Sequence, residues 1–259
     1  MPQIIYGIHP VEEALKASHL HLQKIFIGTE TPGPALQKII GLATQKRVST
    51  TFTSGKQLEQ MTGGGVHQNV IAVLQEIPYA TIDEVLCRWK KEGTKALFLI
   101  LDGIQDPQNF GAIIRTASAS GVHGIMIPKD RAVGITPVVI KASAGAASMI
   151  PIARVVNIST TIEVLKREGI WTYGASGEAG DLIFNLDFDV DLAIVIGAEG
   201  KGIRPLVKRN CDGLFSIPTK GPISSFNASV SAGMVLYEVM RQRYNSPLTL
   251  ILSRQGRGI

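Results

Sequence analysis

The sequence predicts an α/β protein with two parts, a larger carboxyl-terminal domain built on a parallel sheet and a smaller amino-terminal α/β domain. From Ala96 onward, short apolar segments alternate with amphipathic ones, which is typical of a parallel sheet with helices on both faces. The first 76 residues show an alternation of their own. With 259 residues, of which 45% are hydrophobic and 18% charged, the chain can bury a core in each part.

The smaller domain is predicted over residues 1–76. Its helices are expected in HPVEEALKAS, PALQKIIGLATQK and QLEQMTG, and its strands in LQKIFIG, VSTTFTS and QNVIAVLQEI. A glycine-rich loop, GGGVHQN, occupies 63–69 and lacks the Gly-Lys-Ser/Thr ending of a phosphate-binding Walker loop. A flexible turn and a loop that contacts RNA both fit this composition.

The larger domain is predicted over residues 96–245, joined to the first by a connection at 77–95 that contains a short amphipathic helix. Its strands are expected in ALFLILDG, GIMIP, IPIARV, IWTYGA, LAIVIG and LFSIP, and its helices near 110–120, 136–147, 160–168, 203–210 and 227–243. Residues 246–259 are predicted to form a flexible basic tail.

Composition disfavours several classes of protein. No apolar run follows a basic segment at the start, and none approaches about 18 residues, so neither a secretory signal nor a membrane span is expected. Cys87 and Cys211 are too few for a zinc site or a disulfide framework, which suits a reducing cytoplasm. The five histidines show no metal-ligand spacing, so no metal is expected.

The charge distribution weakly favours a polyanionic partner. The formal net charge is +5, and Lys201, Arg204, Lys208 and Arg209 follow Glu199 before the next acid. A solubilising surface explains the same pattern about equally well.

One arginine stands alone in an otherwise uncharged helix. Pro107 and the capping preference of Asn109 predict a helix that starts near Phe110 and carries Arg115 on the face opposite its apolar side. Around Arg115 the residues are small. They allow a ligand, another backbone or a second subunit to approach, although a plain surface arginine is the simpler interpretation.

Three polar or glycine-rich segments follow predicted strands: DGIQDPQNFGAIIRTA, VIGAEGKGI and SIPTKGPISSFNASVSAG. Because ligands of open α/β sheets bind at the carboxyl ends of strands, these segments are expected to converge on one site. None carries the G-x-G-x-x-G order after a first strand, which disfavours a nicotinamide-dependent oxidoreductase.

Taken together, the three segments resemble the SpoU (TrmH-type) family of RNA ribose 2′-O-methyltransferases in the SPOUT superfamily. The motif residues that match in order and spacing are Asn109, Gly111, Arg115, Thr116 and Ala117, then Gly197, Glu199 and Gly200, then Ile217, Pro218, Asn227 and Ser229. In addition, IYGIHPVEEAL and GVHQ resemble the substrate-binding domain of the branch that methylates a guanosine in large-subunit (23S) ribosomal RNA.

The resemblance implies a deep carboxyl-terminal trefoil knot, a homodimer and S-adenosylmethionine as the cofactor. It also implies ribosomal RNA as the partner, with transfer RNA as the alternative substrate and a non-catalytic RNA-binding protein as the alternative class. The implied catalytic residues are Arg115, Asn109, Glu199 and Asn227, and the implied cofactor-binding residues are Gly197, Ile217, Phe226, Gly200 and Pro218.

Two of these residues have more than one expected role. Glu199 is expected to orient Arg115 through a carboxylate–guanidinium pair, or else to act as a helix N-terminal acid. Asn227 is expected to cap the last helix, to orient a hydroxyl group, or to do both. The resemblance implies a general base at Arg115, whereas a guanidinium, which normally keeps its proton, is better suited to stabilise an alkoxide or to hold a phosphate; the sequence does not decide between these roles.

Overall fold

A computed structural model describes residues 4–16, 22–28, 31–222 and 225–244. The predicted tail at 246–259 lies outside the described residues. The chain forms two compact units, one of Met1–Pro78 with Ile135–Gly145 and the other of Tyr79–Gly134 with Ala146–Ile259.

The first unit contains a four-stranded sheet. Its strands are β1 (Ile4–Tyr6), β2 (Leu22–Ile27), β3 (Ser49–Phe52) and β4 (Val70–Leu74), arranged in the order β1-β4-β2-β3. Strand β4 runs antiparallel to β1 and β2, whereas β2 and β3 are parallel. The predicted alternation is therefore present, but β1 was missed because three residues are too short to show a period.

Three helices lie between these strands: α1 (Ile8–Lys16), α2 (Pro34–Gln45) and α3 (Gly55–Thr62). The apolar faces of α1 and α2 pack on β2 and β4, and the buried cluster includes Val11, Leu15, Ile25, Ile39 and Val70. The core of this unit thus forms where the apolar faces of the two helices meet the apolar face of the sheet.

The second unit contains a six-stranded sheet in which every pairing is parallel. Its strands are β5 (Leu97–Asp102), β6 (Gly124–Pro128), β7 (Ile152–Val155), β8 (Trp171–Ala175), β9 (Leu192–Gly197) and β10 (Gly213–Phe215). Their order is β10-β8-β9-β5-β6-β7. All six residues of β5 are buried, as a central strand covered on both faces requires.

Helices cover both faces of this sheet. They are α4 (Ile82–Glu92), α5 (Pro107–Ala119), α7 (Ile158–Arg167), α8 (Pro205–Asn210) and α9 (Ala228–Tyr244). Apolar residues of α4, α7 and α8 share one buried cluster with alternate residues of β5 and β9. Helix α5 packs against α9, and α9 also contacts β9. Helix α6 (Pro137–Ala142) lies in the segment that belongs to the first unit.

The start of α5 differs from the prediction. The helix begins at Pro107, and its N-cap is Asp106, whose side chain accepts hydrogen bonds from the backbone N–H groups of Gln108 and Asn109. The prediction of Asn109 as cap and Phe110 as the starting region was wrong, because proline is well tolerated at the first helical position. The side chain of Asn109 is thereby free for another contact.

None of the helices in the described part of the chain has the length and apolarity that a membrane crossing requires.

Candidate functional site

The site begins where β5 and β9 end side by side. Asp102, the last residue of β5, pairs with Gly197, the last residue of β9. The chain then enters α5 after one strand and the GAEGKG loop after the other. The segment before α9 reaches the same edge, since Asn227 contacts residues of both. The predicted convergence of the three segments is confirmed.

A hydrogen-bond network joins the three segments. Oε1 of Glu199 accepts hydrogen bonds from Nδ2 of Asn109 at 3.0 Å and from Nδ2 of Asn227. It also accepts one from the backbone N–H of Ala228 at 3.2 Å. Nδ2 of Asn227 donates to Oδ1 of Asn109 at 3.0 Å as well. Three of the four residues expected to be catalytic therefore form one cluster.

Asn227 has two functions in this cluster. Its Oδ1 accepts hydrogen bonds from the backbone N–H groups of Ser229 at 2.9 Å and Val230 at 3.3 Å, which is N-cap geometry for α9. Its Nδ2 is left to bind Asn109 and Glu199. The carboxylate of Glu199 is itself bound at the N-terminus of α9, where the helix dipole favours negative charge.

The expected pairing of Glu199 with Arg115 was wrong. Among the described residues, Arg115 has neither a carboxylate within ion-pair distance nor a hydrogen-bond partner for its exposed side chain. Arg115 lies six residues beyond Asn109 on α5, about 9 Å along the axis and about 120° around it. A helix that turns Asn109 toward Glu199 therefore points Arg115 in another direction.

A cleft of about 580 Å³ opens beside the network. Gly197, Gly200, Ile217 and Phe226 line it, as do Glu199 and Asn227. Pro218, predicted as a neighbour of the cofactor, is exposed and is not among the lining residues. Arg115 and Asn109 also lie outside the lining.

Six lining residues were not predicted to bind the cofactor, and they are Ser176, Gly177, Glu178, Lys201, Lys208 and Thr219. The first three follow β8 in the segment SGEAGD. This small, polar segment has the same character as the three that were selected. The criterion of polar or glycine-rich sequence after a strand would have found it.

The GAEGKG loop is shaped by its glycines. The loop doubles back over Gly197, and a Cβ atom placed there would lie 2.1 Å from the carbonyl carbon of Gly202. Gly200 and Gly202 have φ values of +73° and +62°, in the left-handed region that favours glycine. The turn is closed by a hydrogen bond of 2.8 Å from Gly202 N–H to the carbonyl of Ala198.

Four charged side chains line the cleft: Glu178, Glu199, Lys201 and Lys208. Lys208 Nζ lies 2.9 Å from Oε2 of Glu178, and this hydrogen bond lowers the pKa of the Glu178 carboxyl. Lys201 has no ion-pair partner in the described part of the chain. The described residues contain no group of three or more His, Cys, Asp or Glu side chains that could hold a metal ion.

Comparison with solved structures defines the class of fold. The chain resembles the SpoU methyltransferase AviRb from Streptomyces viridochromogenes in complex with AdoMet, with a TM-score of 0.68 and 24% sequence identity. The similarity covers 93% of this chain and 90% of that one. The fold is therefore that of the SpoU methyltransferases.

The sequence comparisons show the particular family. The family model for SpoU rRNA methylases matches residues 96–237, and that for RNA 2′-O ribose methyltransferase substrate binding matches residues 4–80. The chain belongs to the SpoU rRNA methylase family.

Two curated relatives match over nearly the whole chain. The 23S rRNA (guanosine-2′-O-)-methyltransferase RlmB of Coxiella burnetii is 43% identical over 92% of this chain and 95% of its own length. The putative TrmH family tRNA/rRNA methyltransferase YacO of Bacillus subtilis is 42% identical over the same shares of the two chains.

Proposed function

We propose that this protein transfers a methyl group from S-adenosylmethionine to the ribose 2′-oxygen of a guanosine in 23S ribosomal RNA. The cluster of Asn109, Glu199 and Asn227 carries the proposal, because three separate family motifs meet there in direct contact. The named activity of the Coxiella relative and the substrate-binding match at residues 4–80 support the choice of ribosomal RNA.

The cleft fits the cofactor chemically. An adenosyl group needs apolar surface and main-chain hydrogen-bonding groups, and Ile217 and Phe226 supply such surface beside the backbone of Gly197. Phe226, at a position where the SpoU motif usually has leucine, is 38% exposed as a whole residue. Because Lys201 lines the cleft without a charged partner among the described residues, it suits the carboxylate of the cofactor's methionine portion.

S-adenosylmethionine supplies the electrophilic methyl group on its sulfonium, and the protein residues supply positioning and charge. The Asn109–Glu199–Asn227 cluster holds the two loops and α9 in register beside the cleft. A guanidinium is a permanent cation, so the role that we assign to Arg115 is to stabilise negative charge on the ribose oxygen or the adjacent phosphate.

The family assigns further properties, which we propose for this chain. They are a carboxyl-terminal trefoil knot, a homodimeric assembly and a cytoplasmic location with the ribosomal substrate. For the dimer, α9 offers an exposed apolar strip of Val230, Met234 and Tyr237, which are 45%, 40% and 70% exposed. We also propose residues 1–76 as the RNA-recognition domain, 96–245 as the methyltransferase domain, and 77–95 as a linker whose helix α4 packs in the second unit.

The test is methyl transfer from labelled S-adenosylmethionine to 23S ribosomal RNA and to transfer RNA, followed by mapping of the modified ribose. Label on one guanosine 2′-oxygen of 23S RNA is the expected result. Label on transfer RNA alone would overturn the substrate, and cofactor binding without transfer to either RNA or to a ribosomal particle would favour a non-catalytic RNA-binding protein.

A further inference from the structure

A buried carboxylate lies behind the proposed cofactor cleft. Asp102 ends β5, and its side chain has 0% exposure. Oδ2 accepts a hydrogen bond of 2.8 Å from the backbone N–H of Arg204, and Oδ1 accepts one of 2.7 Å from Nε of the same residue. A carboxylate without water is costly unless it is paired and hydrogen-bonded, and Arg204 supplies both interactions.

The position of Asp102 makes this contact important for the GAEGKG loop. Asp102 pairs with Gly197 in the β5–β9 ladder, so the loop leaves the sheet directly beside it. The chain passes through Glu199, turns back over Gly197 and returns to the Asp102 carboxylate at Arg204. Both ends of the loop are therefore held by one residue, through strand pairing at one end and a side chain at the other.

Apart from the hydrogen bonds that the Glu199 carboxylate accepts from Asn109, Asn227 and Ala228, few other interactions hold the loop. Inside it, the hydrogen bonds are the 2.8 Å bond from Gly202 N–H to Ala198 and a second of 2.8 Å from Lys201 N–H to Glu199 O. The buried side chain of Ile203 anchors the same return segment in the core. Residues 199 to 202 are exposed, so the position of the loop depends on the contacts made at its two ends and on the hydrogen bonds of the Glu199 carboxylate.

We propose that Asp102 is a positioning residue for the cofactor-binding loop. It does not line the cleft, and it acts through Arg204 by fixing the loop that carries Gly197, Glu199 and Lys201. Displacement of this loop moves Glu199 away from Asn109 and opens the cleft wall. The inference rests on the proposed function, since it names the residue that orders the cofactor side of that site.

A matched control lies at the other end of the same two strands, where β5 and β9 begin. Oδ1 of Asp191, just before β9, accepts a hydrogen bond of 2.6 Å from the backbone N–H of Ala96, just before β5. Asp191→Asn weakens a carboxylate–backbone contact next to the starts of β5 and β9, whereas Asp102→Asn weakens the contact of the end of β5 with Arg204, where the loop returns. Of these two carboxylates, only that of Asp102 contacts the segment to which the loop returns.

The first measurement is hydrogen exchange of the full-length protein without ligand. Asp102→Asn is expected to raise amide exchange in 198–203, whereas Asp191→Asn leaves that segment at the wild-type rate. Equal protection of 198–203 in wild type and Asp102→Asn would overturn the proposal. This readout does not depend on methyl transfer, so it separates failure of this inference from failure of the proposed function.

The second measurement is calorimetric binding of S-adenosylhomocysteine, with steady-state kinetics beside it. Asp102→Asn is expected to weaken binding about 10- to 100-fold, as loss of a charge-assisted hydrogen bond does. It also raises KM for S-adenosylmethionine and leaves KM for RNA unchanged. If Asp102→Asn and Asp191→Asn lower the melting temperature equally and bind the ligand as the wild type does, Asp102 has only a structural role.

Discussion

Nδ2 of Asn109 lies 3.0 Å from Oε1 of Glu199, although 90 residues separate them in the chain. The contact joins the first turn of α5 to the loop after β9, and Asn227 closes it from the third side. A single carboxylate oxygen on one segment thus accepts hydrogen bonds from the other two segments. Both the stability and the shape of the site therefore depend on Oε1 of Glu199.

Substitution of Glu199 tests this cluster. Glu199→Gln keeps an acceptor oxygen but removes its charge, so we expect methyl transfer to fall about 10-fold, because charge-assisted hydrogen bonds are about twice as strong as neutral ones. Glu199→Ala leaves the amides of Asn109 and Asn227 without their common acceptor, and we expect a loss of at least about 100-fold. Initial rates at saturating RNA measure both. The control is Glu163→Gln, at an exposed position on α7. A wild-type rate of methyl transfer for Glu199→Ala would contradict the role of Glu199 as the common acceptor of this cluster.

Arg115 is expected to affect transfer without affecting the cleft. Arg115→Ala removes the charge that stabilises the reacting oxygen or its neighbouring phosphate, and we expect transfer to become undetectable. Because Arg115 does not line the cleft, S-adenosylhomocysteine should bind Arg115→Ala as tightly as the wild type. Arg115→Lys keeps the charge but loses the planar fork, so partial activity is expected. Calorimetry and label transfer give the two readouts. Loss of ligand binding in Arg115→Ala would show that the arginine shapes the cleft instead. The control is Arg167→Ala on α7, which should change neither ligand binding nor methyl transfer.

A methyl group at Gly197 should damage the GAEGKG loop. The new Cβ atom would lie 2.1 Å from Gly202 C and 2.3 Å from Ile203 N, which are backbone atoms that cannot rotate away. We expect Gly197→Ala to lose ligand binding and about 1–3 kcal/mol of unfolding free energy, as overpacked sites do.

The matched control for this change is Gly233→Ala in α9. There the nearest atom is the Thr116 Cγ2 methyl at 4.0 Å, an ordinary van der Waals contact. Alanine is favoured over glycine inside a helix by about 0.5–1 kcal/mol, so Gly233→Ala should raise the melting temperature. Urea unfolding of both variants checks the signs. Equal effects of the two substitutions would show that backbone freedom, rather than the close approach at Gly197, determines the result.

The two cysteines should differ in reactivity. Burial raises the pKa of the Cys211 thiol to about 12, so at pH 8 only about one molecule in ten thousand carries the reactive thiolate there. Cys87 is exposed on α4. We expect a thiol reagent at pH 8 to label one equivalent in the native protein and two after denaturation. Cys87→Ser should abolish the native labelling, and rapid native labelling of Cys211 would contradict the burial of its thiol.

Acid should weaken the first unit through Glu12. Lys16 and Lys38 lie 2.7 Å and 2.8 Å from its carboxylate, and their hydrogen bonds lower the pKa of Glu12 from 4.5 to about 2. A carboxyl with a lowered pKa in the folded state stabilises the fold above pH 4.5, and this contribution is lost as the pH falls toward 2. Glu12→Gln should show a shallower decline in unfolding free energy over that interval. High salt should reduce the difference between the two proteins, because the side chains of Lys16 and Lys38 are exposed to solvent. If the unfolding free energies of wild type and Glu12→Gln fall equally with pH in low salt, the prediction is contradicted.

Local pattern was sufficient to predict most of the elements. The apolar alternation predicted the parallel sheet of the second unit and three of the four strands of the first, and the small polar segments after β5 and β9 indicated the site. The sequence could not predict contacts that depend on the direction in which a side chain points in the folded protein. Both Asp106 and Asn109 are good helix caps, and only the helix itself shows that Pro107 lies inside it. Similarly, the motif places Arg115 and Glu199 in one site, but their directions on α5 and on the loop decide that Glu199 binds Asn109 instead.

The strand order of the second unit has a consequence for the time course of folding. The central strand β5 completes its pairing only with β9, and the contact between Ala96 and Asp191 at their starts joins residues 95 apart. Such distant pairings form slowly, because a long stretch of chain must be closed before they contribute any stability. The cleft and its hydrogen-bond cluster cannot exist before this step, whereas α5 and α9 can gain helical structure earlier. During refolding, the recovery of ligand binding should therefore lag behind the recovery of helical circular dichroism. The time at which ligand binding returns then reports when the pairing of β5 with β9 is complete.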